Sequence, residues 1–94
     1  MELDVRGEMC PYPAMKAKEA LLRLPPSDAL HVLTDHAPAL STVPWEGAKL
    51  GFASDIDITA PGEWRIRLTK TGAPVDQKQA ARHIATRAAE LSAE

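Results

Sequence analysis

Leu3 and Val5 alternate with Glu2, Asp4 and Arg6, the period of a strand buried on one face. Gly7-Glu8-Met9 breaks the alternation and leads into Cys10-Pro11-Tyr12-Pro13. Ala14, Ala17, Leu21 and Leu24 then recur at helical spacing, with Ala20 and Leu22 widening the stripe and Lys16, Glu19 and Arg23 lying off it. Pro25-Pro26 stops that helix. Ala29 to Thr34 predicts a second strand, apolar enough on both parities to lie centrally. Asp35-His36-Ala37-Pro38 opens a second helix, with Pro38 suited to its first turn. Its inner side is expected to carry Leu40, Val43, Trp45, Ala48 and Leu50. Pro44 removes one helical hydrogen bond and should kink or divide the helix, and Gly51 ends it.

Further along, Phe52, Ser54, Ile56 and Ile58 share one parity, and Asp55 and Asp57 share the other. Pro61-Gly62 marks a turn, after which Trp64, Ile66 and Leu68 alternate with Arg65 and Arg67. The result is a hairpin with an apolar face and a charged face whose aspartates and arginines can pair across the strands. Trp45 and Trp64 are both expected in the core. Asp76 suits the start of a last helix, whose thin stripe of Ala80, Ala81, Ile84, Ala88 and Leu91 would lie on the domain or on a partner chain. The element order predicts an α/β two-layer sandwich: a βαβαββ mixed four-stranded sheet with helices on one face, plus an extra C-terminal helix. Residues 1–72 would form the domain and 73–94 a helical extension. The charged parity of strands one, three and four would face water.

Composition narrows the function. A chain of 94 residues holds one core. Its 45% apolar and 26% charged residues are those of a folded soluble domain. A net charge of −2 argues against a nucleic-acid binder. One cysteine excludes an intrachain disulfide framework. His31, His36 and His83 lack zinc-ligand spacing to Cys10, so no metal is expected. No apolar run reaches the ~20 residues of a membrane span, so no membrane insertion is expected. The start of the chain lacks the basic-then-apolar pattern of a signal peptide, so the cytoplasm is the expected location.

Cys10 carries the chemistry. It follows a strand and a glycine turn, and Pro11 and Pro13 pin the start of a helix just after it. Free N–H groups at a helix start favour a thiolate, and would favour a persulfide anion equally. Pro11 has no N–H, so the donors would come from later residues of that turn. By composition alone a free cysteine also fits as a small buried hydrophobe.

The run Leu3-Asp4-Val5-Arg6-Gly7-Glu8-Met9-Cys10-Pro11-Tyr12-Pro13 resembles the signature of the TusA/SirA-like sulfur carriers, an L-D-x-x-G start followed by C-P-x-P. Leu30 to Asp35 is similar to the family's second strand with its following acidic residue, and Val43-Pro44-Trp45 to its I-P-x-W/F element. The resemblance covers about residues 2–70 and implies the βαβαββ sandwich that the periodicity also predicts. It implies that Cys10 carries sulfur transiently as a persulfide, with no other cofactor, between a donor sulfurtransferase (rhodanese- or cysteine-desulfurase-like) and an acceptor protein. Asp4, Arg6, Gly7, Pro11 and Pro13 are then the supporting motif residues. Tyr12, Lys16 and Lys18 are candidates for contacting a partner or an anion. Three positions depart from the pattern: Asp35-His36 where two acidic residues are common, Thr42 where an acidic residue often stands, and Phe52 after Gly51 where histidine is common. The subgroup beside membrane thiosulfate transporters tolerates such changes, which adds a transporter to the partners the resemblance implies.

Three functions stay open at this point. One is a persulfide relay, a sulfurtransferase-type step with Cys10 as nucleophile and no second thiol to divert it into a disulfide. Another is a thiosulfate-handling protein in which Arg6, Lys16 and Lys18 hold the dianion while Cys10 attacks its outer sulfur. The third is a binding or regulatory module in which the thiol senses oxidation or merely packs.

Overall fold

In the computed structural model, residues 1–9, 12–25, 27–71 and 75–92 are described. The elements run β1 (Glu2–Asp4), α1 (Tyr12–Arg23), β2 (Ala29–Thr34), α2 (Ala39–Lys49), β3 (Phe52–Ala60), β4 (Glu63–Lys70) and α3 (Gln77–Ser92). The sheet order is β1-β2-β4-β3, with β1 parallel to β2 and both β4 pairings antiparallel. It is the mixed four-stranded sheet that the periodicity predicts. α1 lies over β2, α2 over β4 and β3, and α3 over β3 beside α2. None of the described helices is long and apolar enough to cross a membrane.

The core forms where the apolar parities meet the helices. Leu30 and Val32 of β2, Ile56 of β3, and Ile66 and Leu68 of β4 are fully buried against Ala17, Val43 and Ile84. α2 approaches β4 closely at Gly47, where a Cβ would stand 2.8 Å from Leu68 Cδ2. α3 contributes Ile84, which has no exposed surface, so its stripe belongs to the same core.

Several boundaries and faces differ from the sequence pattern. β1 ends at Asp4 rather than Arg6, because the Asp4 carboxylate accepts the Arg6 N–H at 3.0 Å and turns the chain. Val5 stays buried nonetheless, its N–H donating to Leu33 C=O at 2.9 Å. α2 runs undivided through Pro44, which is itself buried and packed. Trp45 is 38% exposed rather than in the core, because its neighbours Val43, Pro44, Gly47 and Ala48 take the inward positions. Leu22 also points outward, one helical step round from buried Leu21. Gly51, at φ +82°, closes α2 in the left-handed conformation that glycine adopts without strain.

The charged face pairs unevenly. The register sets Asp55 opposite Arg67 and Asp57 opposite Arg65. Arg67 binds both aspartates, each at 3.3 Å. Arg87 of α3 reaches Asp55 at 3.2 Å, with His83 at 3.6 Å. Arg65 Nε is buried with no hydrogen-bond partner among the described residues. Arg65, Arg67 and Asp55 are half-buried and Asp57 is exposed, so the charged parity of the hairpin faces water in part. Burial pushes the Asp55 carboxyl up, but the Ile56 N–H, Arg87 and Arg67 outweigh it and leave the pKa lowered.

Candidate functional site

The β1–α1 connection is held residue by residue. Val5 C=O accepts the Glu8 N–H at 3.1 Å, and Gly7 between them has φ +83°. This is the positive φ that a type II turn requires at its third residue. No atom crowds the Gly7 Cα, so conformation alone calls for glycine. The Arg6 N–H is taken by Asp4, and the Gly7 N–H donates to Asp35 Oδ1 at 2.9 Å. Every backbone N–H from Val5 to Glu8 thus has a partner. Cys10 and Pro11 follow this turn in sequence and lie outside the described residues.

On the far side, Tyr12 opens α1, its N–H donating to Met9 C=O at 3.0 Å. Pro13 is buried in the first turn, where its missing N–H costs nothing. Met9 is 67% exposed and Tyr12 57%. Met15 stands exposed one helical turn beyond Tyr12, and Lys18 is exposed as well.

Two of the three candidate anion-binding cations already have carboxylates. Arg6 is clamped by Asp4, with Nε–Oδ1 2.9 Å and Nη2–Oδ2 2.7 Å, and Glu63 of β4 lies 3.7 Å from its other nitrogen. The Arg6 side chain and then its backbone N–H hold the Asp4 carboxyl at a pKa of about 2. In return the hydrogen bond to Asp4, then the charges of Asp4 and Glu63, raise the guanidinium. Lys16 Nζ binds Glu8 Oε1 at 2.5 Å, tying α1 back to the turn. Lys18 makes no ion pair among the described residues.

Asp4, Arg6 and Gly7 therefore meet in one turn, and Lys16 joins it through Glu8. The roles of Asp35, Glu8 and Glu63 are not visible in the sequence pattern. Of these, Asp35 carried a signal: a carboxylate just past a strand that pairs in parallel with the strand feeding the glycine turn.

Fold and loop define the class: a two-layer α/β domain whose lone cysteine follows a backbone-fixed glycine turn. Residues 1–70 match the profile of the TusA family, described as sulfurtransferase TusA, and the chain belongs to that family. A protein of Thermotoga maritima, which carries the provisional name of sulfur carrier protein, is 38% identical over 65 residues, covering 68% of this chain and 82% of that one. YedF of Escherichia coli strain K12, named in the same way, is 33% identical over 60 residues, covering 64% of this chain and 77% of its own. The crystal structure of a SirA-like protein from Desulfitobacterium hafniense shares the fold. Its TM-score is 0.65 at 24% identity, over 71% of this chain and 92% of that one.

Proposed function

We propose that this protein is a sulfur carrier, with Cys10 accepting sulfur as a persulfide from a donor protein and passing it to an acceptor protein. The Cys10 thiolate attacks the outer sulfur of the donor's persulfide. A new S–S bond forms at Cys10, the donor's S–S bond breaks, and the donor leaves as its thiolate. The return step, by an acceptor thiolate, has the same balance, and neither needs an external oxidant or reductant.

One observation supports a protein donor over free thiosulfate: Arg6 and Lys16 are already bound to Asp4 and Glu8. A dianion at this loop would have to displace those carboxylates or rely on Lys18. The exposed Tyr12 is instead suited to a partner's surface. The test is intact mass after incubation with a cysteine desulfurase and cysteine, and separately with thiosulfate. One sulfur atom is expected on the wild type with the desulfurase, removable by reductant, and none on Cys10→Ser. Loading that survives in Cys10→Ser would refute the assignment. Equal loading by thiosulfate alone would restore the thiosulfate reading.

A further inference from the structure

Two of the four backbone N–H groups from Val5 to Glu8 find their acceptors within the turn, and two reach β2 or the residue just past it. Arg6 and Glu8 bond within the turn, and Val5 continues the ladder to β2. Gly7 differs in the kind of acceptor: its N–H reaches across to a side chain, Asp35 Oδ1, rather than to a ladder carbonyl. Asp35 is itself anchored. It follows Thr34, which is fully buried, pairs with Trp64 of β4, and accepts the His36 N–H on its hydroxyl at 3.1 Å. The tether therefore ties the most conformationally free residue of the turn to a fixed point at the end of the central strand.

We propose that Asp35 is a positioning residue for Cys10, acting through the Gly7 N–H to fix the path by which the chain enters α1. This rests on Cys10 being the reactive residue. Asp35 does two separable things. Its oxygen orders the turn that precedes Cys10 in sequence, and on this proposal that order favours the thiolate. Its negative charge disfavours that thiolate. The other charges around the turn are Asp4, Arg6 and Glu8 on the turn itself, Lys16 on α1, Glu63 on β4, and His36 when protonated. None of these groups is itself altered when only residue 35 is changed.

Asp35→Asn keeps an acceptor oxygen and loses the charge. Asp35→Ala loses both. A role through charge alone moves the two variants in the same direction, whereas a positioning role separates them. The experiment is the pH dependence of Cys10 alkylation by iodoacetamide, followed by mass, with thermal melts in parallel. The Asn variant is expected to titrate at or below the wild-type midpoint. The Ala variant is expected above it by half a pH unit or more, about threefold less thiolate below the midpoint. Two outcomes overturn the proposal: both variants shifting together, or the Ala midpoint matching the wild type whatever its melting temperature. Should Asp35→Ala fail to fold, Asp35→Glu takes its place. It keeps the charge and displaces the oxygen, so a raised midpoint is expected, and an unchanged one refutes the role. Alkylation needs no sulfur donor, so this result is independent of whether Cys10 loads sulfur.

Discussion

Ile84 gives the most direct test of whether α3 belongs to the domain. It sits on a helix beyond the residues that match the family, yet it is fully buried in the same core as Val43, Phe52 and Ile56. Ile84→Ala removes three carbons from that core. At ~0.8 kcal/mol per buried carbon the transfer loss is ~2.4 kcal/mol. The incompletely collapsed cavity raises it to about 3–4 kcal/mol, within the range for such truncations. A domain of this size has ~5–15 kcal/mol to lose. Each kcal/mol shifts the midpoint by ~4–8 °C, so the Tm should fall by at least ~12 °C. Urea melts followed by circular dichroism measure the loss directly. Leu22→Ala on the outer face of α1 is the control, expected within ~0.5 kcal/mol of wild type. An Ile84→Ala loss below ~1 kcal/mol would refute the reasoning, because α3 would then lie on the surface without completing the core.

Two further outcomes follow from the turn and its anchor. Thr34→Val leaves the His36 N–H without its acceptor and should cost ~1–2 kcal/mol in urea melts; a neutral result would mean water replaces the hydroxyl. The Asp4 carboxyl has a folded pKa of about 2, below its ordinary 3.8, so its contribution is present above 3.8 and is lost as pH falls through 2. Melts between neutral pH and that window should show the wild type losing more stability on acidification than Asp4→Asn, and parallel curves would exclude the Asp4–Arg6 contribution.

Legibility in the sequence followed periodicity. β2 alternates strictly, burying Leu30, Val32 and Thr34, and β4 buries Ile66 and Leu68; in β3 Phe52 and Ile56 are buried but Ile58, of the same parity, is exposed. α2 was harder, because Pro44 argues locally for a break while its ring is more useful packed inside than exposed. Trp45 shows the same limit: size and apolarity argue for burial, but the angular position set by Val43 and Gly47 turns it outward. At the turn, Gly7 and Pro13 were legible because each has a conformational requirement. The ion pairs were not, since a sequence names Arg6 and Lys16 as cations without saying which carboxylates they meet. The Asp35–Gly7 bond depends on β1 and β2 being parallel neighbours, a tertiary fact.

Those ion pairs decide what kind of recognition the loop can support. An exposed pair such as Asp4–Arg6 is screened by solvent, so it is no strong barrier to an incoming anion. The anion would nevertheless gain little, because it merely exchanges one carboxylate for another oxyanion and gives up its own hydration. Selectivity for a small free anion therefore has no source in Arg6 or Lys16. A protein surface differs in that it can cover Met9, Tyr12 and Met15, whose apolar area is exposed around the turn. Burying it yields free energy in proportion to area and leaves both ion pairs intact. On the carrier reading, discrimination between sulfur sources then comes from docking on that apolar surface.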